Sequence, residues 1–396
     1  MVENLKKGEG GMQFKDIDGY ESLKEHLRSM AHSRKIPHNI LLEIQDGMPG
    51  IAMALAWVQY LNCLNPQDGD SCGTCAQCKM ISQLEHPDVH FIYPVIDSAD
   101  AETPSDNYLP QWREMLQKQG VYWASEEWLQ ALNPENKQPI IYSKDAYALE
   151  QKLRLTIGYA SYRCIIIYQP DKMNDEASNK LLKTMEEPPE RTLFISVSFR
   201  PDLLLETVHS RMQSIEMTPL SNVEMRAAIT RWSPSQLDNN RLNSIVQRSQ
   251  GLVLKAKRIL DNKNAEKKYT TYFDMLTNAM LNKEIIVFRT LSEQLHKEGR
   301  AVAINMIEYF EECFRVLLRE SVAPGEIAQR SSDEQRLLNR IKVCVTPQNI
   351  QHLYKLSEQA IRHIRGYVSP KMVLFDTFIR YTAIFSIELR KQQVRP

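Results

Sequence analysis

Four cysteines lie close together in a C-x8-C-x2-C-x2-C array that follows an apolar, helix-like segment. Two C-x2-C steps in one short loop let several thiolates converge tetrahedrally on one soft cation, and four sulfurs leave no open position for a substrate. The spacing therefore predicts a structural zinc ion. An iron–sulfur cluster and a set of unrelated or disulfide-bonded cysteines are the alternatives. The four residues are Cys63, Cys72, Cys75 and Cys78.

A second place where chemistry could occur is the loop after a predicted strand at residues 40–44. A working phosphate loop needs glycines whose backbone N–H groups cradle phosphate, a lysine for the β- and γ-phosphates, and a Ser or Thr for magnesium. Gly47 remains, but the lysine position holds Gly50 and the hydroxyl position holds Ile51. Asp46 would also place a negative charge against the phosphate. We therefore expect a degenerate loop that does not bind ATP.

The acidic residues that would form the second half of a nucleotide site are also missing. A hydrolase carries Asp-Glu at the end of its second central strand, to hold magnesium and to activate water. This chain has Tyr168 and Gln169 there, and Asp171 is interpreted as a turn or cap residue. ATP hydrolysis by this chain is thus not expected. The loop alone leaves open an ordinary strand–turn–helix that never bound phosphate.

Short apolar strands alternate with helix-like segments over residues 14–218, which favours a mainly parallel α/β sheet. A polar, proline-dotted stretch at about 97–138 interrupts this pattern but contains Trp112, Trp123 and Trp128. It is interpreted as an insertion with a helical piece packed on the domain, or alternatively as an exposed aromatic partner site. Strands are predicted at 40–44, 89–95, 164–168, 192–197 and 213–216, and helices at 51–61 and 203–210.

The chain after Pro219 is predicted to be helical. Ser221 and Glu224 form a capping-box pattern, and residues 219–263 suit a small helical lid domain. Residues 264–396 follow a 3.6-residue apolar period and suit a C-terminal helical domain. A disordered leader is expected at 1–13.

The composition is that of an ordinary globular protein. Among 396 residues, 49 Lys and Arg balance 49 Asp and Glu, so net charge gives no general attraction to nucleic acid. No apolar run approaches the ~20 residues of a membrane span, and we expect a cytoplasmic protein. The remaining cysteines, Cys164, Cys313 and Cys344, lie in apolar segments and are predicted to be core residues.

Three further motifs carry a family resemblance. Residues 179–189 read NKLLKTMEEPP, residues 210–212 read Ser-Arg-Met, and the cysteine array precedes His-Pro-Asp at 86–88. Together they resemble bacterial clamp-loader subunits, which belong to the AAA+ class. The resemblance implies an AAA+-like α/β domain of P-loop type that carries the zinc module, followed by two all-α domains, a lid and a collar.

Within that family, the eroded loop is typical of the delta-prime kind of subunit. The resemblance implies a non-hydrolysing part of the DNA polymerase III complex that supplies Arg211, after Ser210, as an arginine finger to a neighbour's ATP. Leu254 stands where ATPase relatives have a nucleotide-sensing arginine. The implied partners are ATPase subunits, a delta subunit, the sliding clamp and primed DNA.

Two alternatives remain at this point. A divergent but active ATPase subunit predicts ATP turnover by the isolated chain, and a stand-alone zinc-containing nucleic-acid-binding protein predicts salt-dependent DNA affinity without partners. Glu186 and Glu187 in the last turn of a helix oppose the helix dipole. They predict either a contact with a basic neighbour or solvated acids before a proline stop.

Overall fold

The computed structural model describes residues 13–96, 104–132, 138–233, 237, 239–261, 263–325, 327, 332–366 and 368–393. The predicted leader lies outside these residues apart from Gln13, as do parts of the predicted insertion at 97–103 and 133–137. The chain divides into two compact units: a first unit of residues 1–236 and 249–256, and a second unit of residues 237–248 and 257–396.

The first unit is built on a parallel sheet. Its five strands lie in the order β2-β3-β4-β1-β5, and every neighbouring pair is parallel. The interior strands β3 and β4 are buried along their whole length, as expected for a sheet covered by helices on both faces. The strands are β1 (Asn39–Glu43), β2 (Val89–Ile92), β3 (Arg163–Tyr168), β4 (Thr192–Ser198) and β5 (Gln213–Glu216).

Ten helices of the described chain surround this sheet in the first unit. The helix after β1 is buried on almost every side, which fits its uniformly apolar sequence. They are α1 (Glu21–Ser33), α2 (Gly50–Asn62), α3 (Ala76–Ser82), α4 (Pro104–Asn107), α5 (Leu109–Gln119), α6 (Ser125–Leu132), α7 (Ser143–Leu153), α8 (Asp175–Glu186), α9 (Glu206–His209) and α10 (Asn222–Trp232).

Two predicted elements differ at their ends. Strand β2 stops at Ile92 rather than at residue 95, since Pro94 lacks the N–H that a continuing ladder needs; Val95 keeps a single bridge to Ile140. The helix predicted at 203–210 is wrong at its start. Leu204 is extended and Leu205 is a non-helical N-cap, so that α9 begins only at Glu206.

The second unit consists of helices, and α11 (Asn239–Ser249) and α12 (Val253–Asp261) each contribute residues to both units. Helix α15 (Arg300–Val322) buries the predicted apolar stripe, from Ile304 to Leu317, in the core of this unit. Cys313 and Cys344 are buried, as predicted. The remaining helices are α13 (Lys263–Asn282), α14 (Ile285–Glu298), α15 (Arg300–Val322), α16 (Ser332–Ile341), α17 (Ile350–Arg365) and α18 (Pro370–Gln393).

A parallel α/β sheet followed by helices confirms the predicted fold class. The capping box is also confirmed: Ser221 Oγ accepts a hydrogen bond from the Glu224 N–H at 3.3 Å, and Glu224 Oε2 accepts one from the Ser221 N–H at 2.9 Å. Among the described helices, none is long and apolar enough to cross a membrane.

Candidate functional site

The four cysteines of the predicted metal site come together. Their sulfur atoms all lie within 4.8 Å of one another, so the group could hold a metal ion. Cys63 follows α2 and Cys75 caps α3, so two helix ends fix two of the sulfurs. The Cys72 N–H donates to Cys63 Sγ at 3.2 Å and the Cys75 N–H to Cys72 Sγ at 3.3 Å. Four converging thiols with N–H donors aimed at sulfur fit a closed tetrahedral site of the zinc type.

The charges within this cluster are unequal before any metal binds. Backbone N–H groups of Thr74 and Cys75 lower the pKa of Cys72 to about 6. Burial raises the pKa of the Cys63 thiol and that of Cys78. A bound cation would favour the thiolate form of Cys63 and Cys78, because thiolates are the metal ligands.

The residues just before Cys72 attach the cysteine loop to the start of the domain. Asp70 accepts hydrogen bonds from the N–H groups of Phe14 at 3.2 Å and Lys15 at 2.9 Å. Ser71 Oγ accepts hydrogen bonds from the side-chain amides of Gln59 at 2.8 Å and Gln13 at 3.3 Å. The loop thus stabilises the entry of the chain into α1 as well as its own fold.

The His-Pro-Asp sequence has a structural role on the other side of the cluster. Asp88 accepts three backbone hydrogen bonds, from Gly158 at 3.1 Å, Tyr159 at 2.8 Å and Ala160 at 3.0 Å. Burial opposes its charge, but these three bonds outweigh burial and lower the pKa of Asp88. The carboxylate therefore fixes the turn that leads into β3.

The loop after β1 is closed in the structure. The Met48 N–H donates to the Gln45 carbonyl at 3.0 Å, and the Gly50 N–H to the Met48 carbonyl at 2.9 Å. The Gln45 N–H in turn points at Met48 Sδ at 3.2 Å. Residues 47–50 are all buried. Because a phosphate loop works through free N–H groups facing the ligand, the N–H groups of Met48 and Gly50, which are bonded within the loop, do not serve a phosphate.

Packing also opposes a side chain at the former lysine position. A Cβ atom built on Gly50 would come within 2.7 Å of Val197 Cγ1 and 2.8 Å of Ile44 Cδ1. Gly47 has φ +89°, and a Cβ atom built on it would lie 3.3 Å from Cδ2 of Leu254, the residue predicted to stand at the sensor-arginine position. An apolar side chain therefore lies beside the glycine of this loop.

The former acidic pair is part of the hydrophobic interior. Tyr168 is fully buried, and burial raises the pKa of its phenol well above the ordinary value. The Gln169 N–H donates to the Val197 carbonyl at 2.8 Å. Asp171 accepts a hydrogen bond from Ser198 Oγ at 2.8 Å and lies in a short turn, in agreement with its interpretation as a turn residue.

The three tryptophans of the insertion are buried rather than exposed. Trp112 stacks on Tyr93 with 4.4 Å between ring centroids and meets Trp128 edge-on at 4.9 Å. Trp123 lies 5.2 Å from the ring of Tyr168. The alternative of an exposed aromatic partner site is therefore wrong for these residues, since the cluster packs over the end of β3.

Arg211 is accessible and follows the short helix α9. Its Nε donates to Glu186 Oε1 at 2.5 Å, and its Nη1 donates to the Thr207 carbonyl at 2.6 Å. The side chains of Arg211 and Glu186 are 37% and 43% exposed, so a partner could reach the guanidinium. Ser210 donates to the Thr207 carbonyl at 3.4 Å. The next residue, Met212, is buried.

Two residues around Arg211 were not recognised from the sequence as its partners. The basic residue expected to contact Glu186 is Arg211 of the same chain. The sequence signal for this contact was the position of Glu186 in the last turn of a helix, where an acid opposes the helix dipole. Asn39, which is buried, donates to the Met185 carbonyl at 2.8 Å and to the Arg211 carbonyl at 3.3 Å. It ties the end of α8 to the backbone that carries the arginine.

These features define the class of the first unit. A five-stranded parallel sheet in the order β2-β3-β4-β1-β5, with a loop between β1 and α2 at the phosphate-loop position, is an AAA+-like α/β domain. The nucleotide loop of this domain is closed, whereas its arginine remains accessible.

The family model described as DNA polymerase III, delta subunit, matches residues 19–221. The chain belongs to this family, and this assignment confirms the resemblance to clamp-loader subunits. It is 24% identical to the DNA polymerase III subunit delta' of Escherichia coli over 182 residues, which are 46% of this chain and 42% of that protein. The match to subunit tau of Bacillus subtilis is 22% identical over 334 residues, 79% of this chain and 51% of that protein.

The chain thus spans about half or less of the length of these two relatives. A solved structure, that of a DNA polymerase III gamma subunit-related protein from Thermotoga maritima, aligns with a TM-score of 0.43 at 12% identity. That alignment covers 91% of this chain and 99% of the Thermotoga chain.

Proposed function

We propose that this chain is a non-hydrolysing, delta-prime-type subunit of a DNA polymerase III clamp loader and acts in cytoplasmic DNA replication. It assembles with ATPase subunits and a delta subunit, and Arg211 acts on ATP bound by a neighbour while the complex places a sliding clamp on primed DNA. The observation that supports this proposal is the contrast within one domain between a closed nucleotide loop and an accessible arginine.

A comparison of two free energies favours release of Arg211 from Glu186 when a neighbour's ATP is present. An exposed ion pair of this kind is worth about 0–1 kcal/mol. A trans arginine that stabilises the transferring phosphoryl group raises the rate by roughly 10³–10⁵, which corresponds to about 4–7 kcal/mol of barrier. The gain exceeds the cost of breaking the pair, so Glu186 orients the finger without trapping it.

The other parts of the chain have supporting roles in this proposal. A structural zinc ion held by the four cysteines fixes the loop between α2 and α3. Residues 14–218 form the AAA+-like domain, residues 219–263 the lid, and residues 264–396 a collar that holds neighbouring subunits together.

A divergent active ATPase subunit is the second candidate, because the match to subunit tau extends over 334 residues. This candidate predicts magnesium-dependent ATP turnover by the purified chain alone. The closed loop and the absence of the lysine, the hydroxyl and the acidic pair support the non-hydrolysing reading instead.

The experiment compares ATP hydrolysis, stimulated by clamp and primed DNA, in complexes reconstituted with wild-type chain, Arg211→Ala or Arg200→Ala. Arg200 is the matched control: it is another exposed arginine paired with a carboxylate, Asp202, at 2.8 Å. We expect a loss of at least roughly 10³-fold for Arg211→Ala and little change for Arg200→Ala. Equal activity of all three assembled complexes would contradict the arginine-finger role.

A further inference from the structure

A segment of the insertion lies against the former nucleotide loop. Asp46, the loop residue with the wrong charge for phosphate, accepts two hydrogen bonds from Ser125, from its N–H at 2.8 Å and from its Oγ at 2.6 Å. Ser125 is the first residue of α6. A carboxylate is favoured at a helix N-terminus, so the charge that would repel a phosphate binds the insertion instead.

Just before Ser125, the same segment is tied to the start of the domain and to the first helix after the sheet. The Asp18 N–H donates to the Tyr122 hydroxyl at 2.6 Å, and that hydroxyl donates to Asp18 Oδ2 at 3.1 Å. Trp232 of α10 donates to the same oxygen at 2.9 Å, and Arg231 of α10 pairs with Asp18 Oδ1 at 2.8 Å. Asp18 is buried, whereas the side chain of Arg231 is 58% exposed, so the bonds to Tyr122 and Trp232 form the inner part of this junction.

Aromatic side chains on either side of Ser125 also fix the segment to the sheet. Trp123 packs against Tyr168, at the position of the former acidic pair. Trp128 donates its indole N–H to the Pro94 carbonyl at 2.8 Å. The segment therefore contacts the loop after β1, the end of β3 and the residue that binds α10, all within the first unit.

We propose that residues 122–128 occupy the place beside the loop after β1 and the end of β3 where a nucleotide would bind in an ATPase domain. We propose further that they hold α10 against the sheet of the first unit without any nucleotide. A bound ligand can shift a conformational equilibrium only through its differential affinity for the two states. Contacts supplied by the chain itself do not change between ATP and ADP. The position of α10 in this chain is therefore independent of the nucleotide state.

The test uses hydrogen exchange on the purified full-length chain, with and without millimolar Mg·ATP. Tyr122→Phe removes the hydroxyl bonded to Asp18 but keeps the ring, and should speed exchange in α10 by roughly 5- to 30-fold. Tyr159→Phe is the matched control: Tyr159 is 70% exposed, and this change should leave α10 unchanged. Mg·ATP should alter neither α10 nor residues 44–53 in the wild type.

Ser125→Ala serves as a second variant, since it removes only the Oγ bond to Asp46. We expect faster exchange in residues 44–50 and in α6, and this result carries the test if Tyr122→Phe fails to fold. Unchanged exchange in a folded Tyr122→Phe, or in Ser125→Ala, would overturn the proposal. Slower exchange of the wild-type loop on addition of Mg·ATP would also overturn it. None of these outcomes depends on Arg211 or on assembly, so the proposed function is tested separately.

Discussion

The aromatic cluster that the insertion forms with Tyr93 and Tyr168 allows the packing described above to be tested through protein stability. Trp112 is fully buried and contacts Tyr93, Trp123, Trp128 and Tyr168, with ring centroids 4.4 to 5.7 Å away. Truncation of such a side chain to alanine removes its buried surface and leaves a cavity, and costs about 3–5 kcal/mol. We expect the loss of unfolding free energy for Trp112→Ala to lie toward the upper end of this range, because each aromatic pair adds about 0.5–1.5 kcal/mol beyond area burial.

The assay is urea unfolding followed by circular dichroism, with the free energy of unfolding compared at equal slope. Tyr147→Ala is the control: Tyr147 is an aromatic residue of α7 that is 55% exposed, and its loss should cost less than about 1 kcal/mol. Trp112→Phe should fall between the two. A loss below about 1 kcal/mol for Trp112→Ala would refute the conclusion that the insertion is part of the core.

Three further predictions concern the metal site, the ion pair and Asp88. Elemental analysis of the purified chain should find about one zinc ion per chain. Cys78→Ser should lose this zinc, whereas Cys344→Ser, which changes an equally buried cysteine outside the cluster, should retain it. Zinc retained by Cys78→Ser would exclude the site. Glu186→Gln should change the free energy of unfolding by less than about 1 kcal/mol, and a larger loss in urea titrations would show that the pair is structural. Asp88→Asn should cost about 1–3 kcal/mol at pH 7. Because the folded-state pKa of Asp88 is lowered, the carboxylate stabilises the fold above the unfolded pKa of ~3.9, and this advantage is lost as the pH falls through the folded pKa. Unfolding curves of wild type and Asp88→Asn should thus converge below about pH 4, and a constant gap would contradict the hydrogen-bond pattern.

The strands and the metal ligands could be predicted because their signals are local. Short apolar runs bounded by turn residues locate the strands to within a few residues, and two C-x2-C steps specify converging sulfurs. The sequence did not supply the order of strands across the sheet, since that order depends on contacts between residues far apart in the chain. The helix that leads to Arg211 was predicted too long, because Leu204 and Leu205 are helix formers that adopt non-helical backbone conformations in the structure.

The closed state of the nucleotide loop could be predicted only in part. Missing lysine, hydroxyl and acidic residues are visible in the sequence, but the hydrogen bonds that the loop's N–H groups donate within the loop are not. The contact between Asp46 and Ser125 joins residues 79 positions apart. For the tryptophans of the insertion, the sequence predicted packing on the domain but left an exposed partner site as the alternative. The ring contacts with Tyr93 and Tyr168 confirm packing.

The central claim is that Arg211 acts on the chemical step in a neighbour's ATP site. The most direct measurement is the single-turnover rate of hydrolysis of saturating ATP by the reconstituted complex, together with its ATP affinity, for wild type and Arg211→Ala. We expect ATP affinity to change by less than about tenfold while the hydrolysis rate falls by at least roughly 10³-fold. An unchanged rate, or a loss explained entirely by weaker ATP binding, would contradict the claim.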